Sequence, residues 1–300
     1  MSNNIGWTDT TKNPLIGCTP ASTGCANCYA ATDTWIRQHN PSSPHYKAEL
    51  TKASGVWSGK VTFRPEVLDQ IRQIKKPQRI FMPSLSDPFH SMVKEEWLEQ
   101  IFDCIYDCKH LTFQMLTKRP ERMLDWISRS AFLINAPLEN LWLGTSIENQ
   151  QTAKERCPLI TQLTEVGYTT FLSIEPLLES IDLVAAGAIE RVRHRTNKLA
   201  PDDYEPLVSW VIVGGESGHN ARACFPDWIG SIVSQCKAVG IPVYVKQLGT
   251  DWAKHNRTYC NDSKGADPQL WMEDLRVREF PLAGDRLRHS SRFKADLSSQ

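Results

Sequence analysis

Six short apolar segments, each closed by a polar turn, set the tightest limit on how this chain folds. RIFM (79–82), LTFQM (111–115), LWLG (141–144), TFLSI (170–174), WVIVGG (210–215) and PVYVK (242–246) are rich in β-branched and aromatic residues. Helix-compatible stretches precede several of them, among them EVLDQIRQIKK, EEWLEQIFDCIYDC and DWIGSIVSQCKAVG. The alternation predicts βα units that build a parallel sheet, and NPLIG (13–17) is a preceding element that brings the total to about seven strands. The turns that follow read PSLSDPFH, LTKRPER, TSIENQ, EPLLE, ESGHNAR and QLG. A doubly wound sheet gathers its ligand groups around one crevice, whereas a barrel opens every such turn at one end. Polar turns after nearly every strand therefore favour an α/β fold of the parallel (β/α) barrel type.

The barrel is expected over residues 1–249, with a cysteine-rich loop near its start and an insertion at about 180–209 where the rhythm breaks. Inside that insertion Arg191, Arg193, His194, Arg195 and Lys198 form a basic run, read as a solvated face or as a phosphate or nucleic-acid contact. Residues 250–300 are read as an extension packing near the barrel mouth, its last stretch expected to be disordered. The 34 basic and 34 acidic residues cancel, so total charge draws the chain to neither nucleic acid nor an anionic membrane. No stretch is apolar enough to span a bilayer and the first residues are neither basic nor apolar, so no membrane association and a cytoplasmic location are expected. In that compartment nine cysteines do not make a disulfide framework.

Three of those cysteines, Cys18, Cys25 and Cys28, fall within GCTPASTGCANCYA (17–30). The C-x2-C spacing is common to zinc sites, redox pairs and iron–sulfur clusters. A closed zinc site needs a fourth ligand, and His39 or His45 is near enough in sequence to supply it. Three thiolates alone suit a [4Fe–4S] cube whose fourth iron stays open. Gly17, Ala21, Ser22, Gly24 and Ala26 let the backbone wrap closely around such a group. Both alternatives stand on the spacing alone. The remaining cysteines, Cys104, Cys108, Cys157, Cys224, Cys236 and Cys260, read as ordinary thiols, with Cys104 and Cys108 on one face of an amphipathic helix.

GWTDTTKNPLIGCTPASTGCANCYA, FMPSLSDPFH, MLTKRPERM, LWLGTSIENQ, LSIEPLL, VIVGGESG with Ala221–Arg222, and YVKQLG together resemble the phage Gp37/Gp68 family, a group of radical S-adenosylmethionine-like proteins. The chain is more remotely similar to spore photoproduct lyases. The resemblance implies a partial (β/α) barrel of the radical S-adenosylmethionine type, with a [4Fe–4S] cluster on Cys18, Cys25 and Cys28 and S-adenosyl-L-methionine on the open iron. It further implies an enzyme that generates a 5'-deoxyadenosyl radical, takes its electron from an external donor such as flavodoxin or ferredoxin, and modifies or repairs a nucleotide or DNA base. A base within DNA has to be flipped or single-stranded to enter a barrel mouth. The chain departs from the common C-x3-C-x2-C motif with C-x6-C-x2-C, and Asn27 stands where an aromatic residue commonly precedes the last cysteine, Tyr29 following it.

The polar turns supply the other candidates. Ser84, Ser86 and Asp87 are expected to accept the cofactor's ammonium group, and His90 to donate a proton or touch substrate. Lys118 and Arg119 are expected to meet a carboxylate or phosphate, for which the guanidinium fork is well shaped. Thr145, Ser146, Glu148 and Asn149 are assigned to ribose hydroxyls, with Ser146 alternatively a helix cap. Glu175 needs a partner if buried, either a ligand or an ion pair. Gly214 and Gly215 are expected to let the backbone pass beside adenine, with Glu216 and Ser217 at the next edge and Arg222 as an anion contact. Lys246 and Gln247 complete the set, and His90, Lys118, Glu175 and Lys246 are the catalytic candidates. The competing functions are a zinc-stabilised nucleic-acid-binding or structural module and an iron–sulfur photolyase or redox protein. Oligomeric state is not encoded in any of these motifs.

Overall fold

A computed structural model describes residues 5–43, 46, 49–52, 55–191 and 204–281. The chain begins with β1 (Thr10–Thr11) and β2 (Leu15–Ile16), passes through the cysteine loop into α1 (Tyr29–Gln38), and continues through β3 (Thr62–Phe63), α2 (Glu66–Arg72) and β4 (Arg79–Phe81). Then follow α3 (Glu95–Asp107), β5 (Thr112–Thr117), α4 (Pro120–Ser128), α5 (Ala131–Asn135), β6 (Leu141–Ser146), α6 (Gln150–Val166) and β7 (Thr169–Ile174). The last elements are β8 (Ile189–Arg191), β9 (Tyr204–Pro206), β10 (Trp210–Gly214), α7 (Pro226–Ala238), β11 (Val243–Gln247) and α8 (Thr250–His255).

Seven strands form one sheet in the order β1-β4-β5-β6-β7-β10-β11. Its pairs β1/β4, β4/β5, β7/β10 and β10/β11 run parallel. The order never reverses. A doubly wound sheet turns back at a switch point, whereas strands added always on the same side are wound as in a (β/α) barrel. Because crossovers are right-handed, such winding sends the connecting helices to one face. The scaffold is thus barrel-like α/β, with β1 and β11 as the terminal strands.

The first strand is not where the sequence placed it. NPLIG was expected to join the parallel sheet, but Leu15 and Ile16 pair antiparallel with Phe63 and Thr62 in a separate two-stranded sheet. Thr10–Thr11 takes the place beside β4, held by Asp9 N–H to Arg79 O at 3.2 Å and Lys12 N–H to Phe81 O at 3.1 Å. Pro14 has no N–H with which to continue that ladder. Leu15 and Ile16 turn away into full burial instead.

Contacts divide the chain into two compact units, Met1–Trp126 with Leu138–Gly144, and Ile127–Pro137 with Thr145–Gln300. In the first, Ile16, Ala30, Ala31, Tyr46, Leu50, Trp57 and Leu85 form a core cluster against which Cys18 and Cys28 pack. Gly17 joins β2 to the cysteine loop at φ 107°, a conformation that favours glycine, and a Cβ there would run into the carbonyl of Lys60.

In the second unit, Val211, Ile212, Val213, Val243 and Val245 are fully buried, each worth about 1.5–3 kcal/mol of apolar burial. Beyond α8, Val245 N–H donates to Val277 O and Glu279 N–H to Val243 O, so the chain returns antiparallel along the edge of β11 and covers it. Leu248 and Gly249 N–H groups donate to Gly265 O and Lys264 O just past the other end of that strand. The insertion carries the antiparallel pair β8/β9. Arg193, His194, Arg195, Lys198 and the final residues of the chain lie outside the described residues. Among the described residues no helix is long and apolar enough to cross a membrane.

Candidate functional site

All nine cysteines are free thiols, and the three that are not buried are Cys18, Cys25 and Cys28. They are close enough for Cys18 to feel the charge of the other two and Cys28 that of Cys25. Burial pushes the Cys18 thiol up to about 12, with the Asp87 carboxylate adding to the effect and Arg119 opposing it. Burial also raises Cys28, against the amides of Ala31 and Ala30 at the start of α1 and the Trp57 side chain. Cys28 is the N-cap of α1, so the positive end of that helix faces the loop. Among the described residues no group of three or more His, Cys, Asp or Glu is arranged to hold a metal ion.

The loop lies at the carboxyl ends of β4 and β5. Ser86, just beyond β4, donates through Oγ to Gly17 O at 2.6 Å. Asp87 is buried and accepts four hydrogen bonds, at Oδ1 from Phe89 N–H (2.9 Å) and Thr117 Oγ1 (2.6 Å), and at Oδ2 from Lys118 N–H (3.0 Å) and Arg119 Nη1 (2.7 Å). A carboxylate offers about four acceptor positions, so the protein itself fills this one. Asp87 thereby ties the turn after β4 to the turn after β5.

Arg119 is likewise engaged. Besides Asp87, it reaches Cys18 Sγ through Nη1 at 3.9 Å, and through Nη2 both the carbonyl and the hydroxyl of Thr19 at 3.0 Å. Lys118 Nζ donates to Ser22 Oγ at 3.5 Å. Two cations that follow β5 thus meet the cysteine loop. His90 is only 1% exposed; its Nε2 lies 2.8 Å from Thr19 Oγ1 and its Nδ1 accepts from Met92 N–H at 3.1 Å. Nδ1 being the acceptor, the Nε2 proton goes to Thr19. Nε2 thus anchors the cysteine loop through Thr19, while Nδ1 holds the turn of His90's own segment through Met92. Burial, followed by Arg119, lowers the His90 pKa, with Asp87 opposing. Ser84 donates through N–H and Oγ to Asn13 Oδ1, a partner the sequence reading missed, although Asn13–Pro14 is a turn signal.

The zinc alternative loses its described fourth ligand. Cys28 and His39 cap opposite ends of the ten-residue helix α1, which holds them about 16 Å apart along its axis. His39 Nδ1 is spent on Trp35 O at 2.9 Å. His45 lies outside the described residues.

A family model described as "Protein of unknown function (DUF5131)" matches residues 2–281. The chain belongs to the DUF5131 family. No curated protein and no solved structure matches it.

In the second unit of this DUF5131 protein the expected ligand groups pair with other groups of the chain. Asn149 is the N-cap of α6: its Oδ1 accepts from Thr152 N–H at 2.8 Å, and Thr152 Oγ1 accepts from the Asn149 N–H at 3.2 Å. That arrangement is a capping box, and Asn149 rather than Ser146 is the cap. Thr145, Ser146 and Glu148 are buried, and Glu148 pairs with Arg156 at 3.2 Å while Arg156 also donates to Ser146 O at 2.7 Å. Arg156 carried no sequence signal, being eight residues from its partner on another element.

Glu216 is held by Arg222 in a fork, Nε to Oε2 at 2.9 Å and Nη2 to Oε1 at 2.6 Å. A Cβ on Gly215 would press into Leu248 O, so this glycine is required by the close passage of the chain after β11. Gln247 Nε2 seals that passage on Gly215 O at 2.9 Å. Lys246 Nζ comes within 3.0 Å of Glu175 Oε1. That approach is an ion pair by distance but not a directed hydrogen bond, and among the described residues Oε1 has no hydrogen-bond donor.

Proposed function

We propose that this DUF5131 protein is an iron–sulfur enzyme of the radical S-adenosylmethionine type, with Cys18, Cys25 and Cys28 holding a [4Fe–4S] cluster and a nucleotide or DNA base as substrate. One observation carries the reading: the chain's three unburied thiols are gathered in one loop fastened to the carboxyl ends of parallel strands β4 and β5. The donor set suits that group. A mononuclear zinc needs every ligand about 2.0–2.3 Å from one point, including a fourth. A four-iron cube spreads three thiolates over separate corners and leaves one iron for a non-protein ligand. Three thiolates on such a cube carry net negative charge, which the start of α1, Lys118 and Arg119 offset.

When bound, the cluster would supply the electron for reductive cleavage of S-adenosylmethionine. The chain's own part is to hold the thiols, keep the loop closed on the sheet, and shield it with the core of Leu50, Trp57 and Leu85. The substrate class rests on the resemblance to the phage family.

The test is anaerobic reconstitution with iron and sulfide. The wild type is expected to take up about four irons per chain, and after reduction with S-adenosylmethionine to release 5'-deoxyadenosine, with nucleotides added in a second series. Cys25→Ala should lose both signals. Purification with zinc and no uptake of iron, or an intact cluster that yields no 5'-deoxyadenosine in either series, overturns the reading.

A further inference from the structure

The polar groups around the cysteine loop do more than close it. Arg119 stands at the centre of a chain that runs from Asp87 through the guanidinium to Thr19 and on to His90, and the same Nη1 that meets Asp87 at 2.7 Å faces Cys18 Sγ at 3.9 Å. Its side chain is 20% exposed and that of Asp87 7%, so water screens the two charges poorly. A positive charge held against one cluster ligand, backed by a negative charge one bond further out, is the arrangement by which surrounding groups tune a metal centre.

We propose that Arg119 is the positioning and tuning residue of the cysteine loop, fixing Cys18 through Thr19 and setting the reduction potential of the [4Fe–4S] group, with Asp87 as its counterweight. The inference rests on the cluster assignment above. Reduction adds negative charge beside Cys18, and the Arg119 cation stabilises that state. Asp87 acts in the opposite sense on both the electron and Arg119. The two partners of one ion pair therefore have opposite effects on the midpoint, which a purely structural brace does not produce: loosening the loop from either side would move the midpoint the same way.

The test is an EPR-monitored redox titration of the reconstituted protein, with iron and sulfide content measured alongside. Arg119→Gln is expected to shift the midpoint to more negative potential and Asp87→Asn to more positive potential. Arg119→Lys, which keeps the charge and loses the fork, should fall between wild type and Arg119→Gln. Should Arg119→Gln fail to fold or load, the Arg119→Lys and Asp87→Asn pair still decides the sign. Shifts in one direction for both partners, or no shift in any variant that retains its cluster, overturn the proposal and leave the cluster assignment standing. A wild type that takes up no iron and sulfide overturns both, and does so before any variant is made.

Discussion

Lys246 meets Glu175 across a strand that belongs to neither. Glu175 follows β7 and Lys246 lies in β11, and β10 runs between them in the sheet. The pair closes because β10 ends in Gly214: a Cβ there would stand 3.2 Å from Glu175 Oε1 and 3.0 Å from Gln247 O. The glycine serves the ion pair. Gly214→Ala is therefore expected to destabilise the protein by about 1–3 kcal/mol, the usual cost of overpacking, read as a lower urea midpoint. In a Glu175→Ala background the penalty should shrink without vanishing, since the Gln247 carbonyl remains. An equal penalty in both backgrounds would show that the carboxylate is not what the methyl displaces.

Asn149 caps α6, and stability measures what that cap contributes. Asn149→Ala removes the acceptor for the Thr152 N–H and should cost about 1 kcal/mol in the ligand-free protein. Asn149→Asp or Asn149→Ser should retain most of that stability, because either side chain accepts the same bond. Thermal denaturation of the three variants without added ligand is sufficient. Unchanged stability in the alanine variant would show that the capping bond contributes nothing to the fold.

Most of the architecture could be read from the sequence because β-strand composition and polar turns are local signals. The six apolar segments became β4, β5, β6, β7, β10 and β11, and the stretches before β4, β5 and β11 became α2, α3 and α7. The longest helix, α6, carried a weaker signal: Pro158 interrupts it, and it opens on Gln150, Gln151 and Thr152. The two-residue strand β1 is invisible locally, since what makes Thr10–Thr11 a strand is the anchoring of Asp9 and Lys12 on β4. At the candidate site, residue types that bind ligands were legible and their partners were not. Asp87 and Arg119, Glu148 and Arg156, Glu175 and Lys246, and Glu216 and Arg222 find one another only once the strands are aligned. A carboxylate that is six to seventy-one residues from its cation announces an ionisable turn and nothing of who answers it.

The anchoring of β1 also predicts a pH dependence. Asp9 accepts from Arg79 Nη2 at 2.9 Å and from the Arg79 N–H at 2.7 Å, and the Arg79 side chain, against some burial, holds its carboxyl below the usual carboxylate value. A folded pKa below the unfolded one gives stability that is fully present above the unfolded value, about 3.9, and is lost as pH falls through the folded value. The pair is well exposed, so its contribution is about 0–1 kcal/mol. Wild type should exceed Asp9→Asn by a constant margin from pH 7 down to about pH 5, and the margin should shrink on further acidification. A margin that grows toward acid would refute the assignment.

The division of the cysteines into three unburied and six buried thiols predicts a labelling order. Alkylation of the native, metal-free protein at pH 8, followed by peptide mass mapping, should modify Cys18, Cys25 and Cys28 before any of Cys104, Cys108, Cys157, Cys224, Cys236 and Cys260. The buried set should react mainly as denaturant unfolds the chain, because these residues are buried in the native fold. Within the loop, Cys18 is expected to label slowly and to accelerate as pH rises, since its thiol is pushed up to about 12 by burial and only the thiolate reacts. Cluster reconstitution should then protect all three loop thiols at once while leaving the labelling of the other six on unfolding unchanged. Protection of one or two of the three would mean that the loop does not close around a single group.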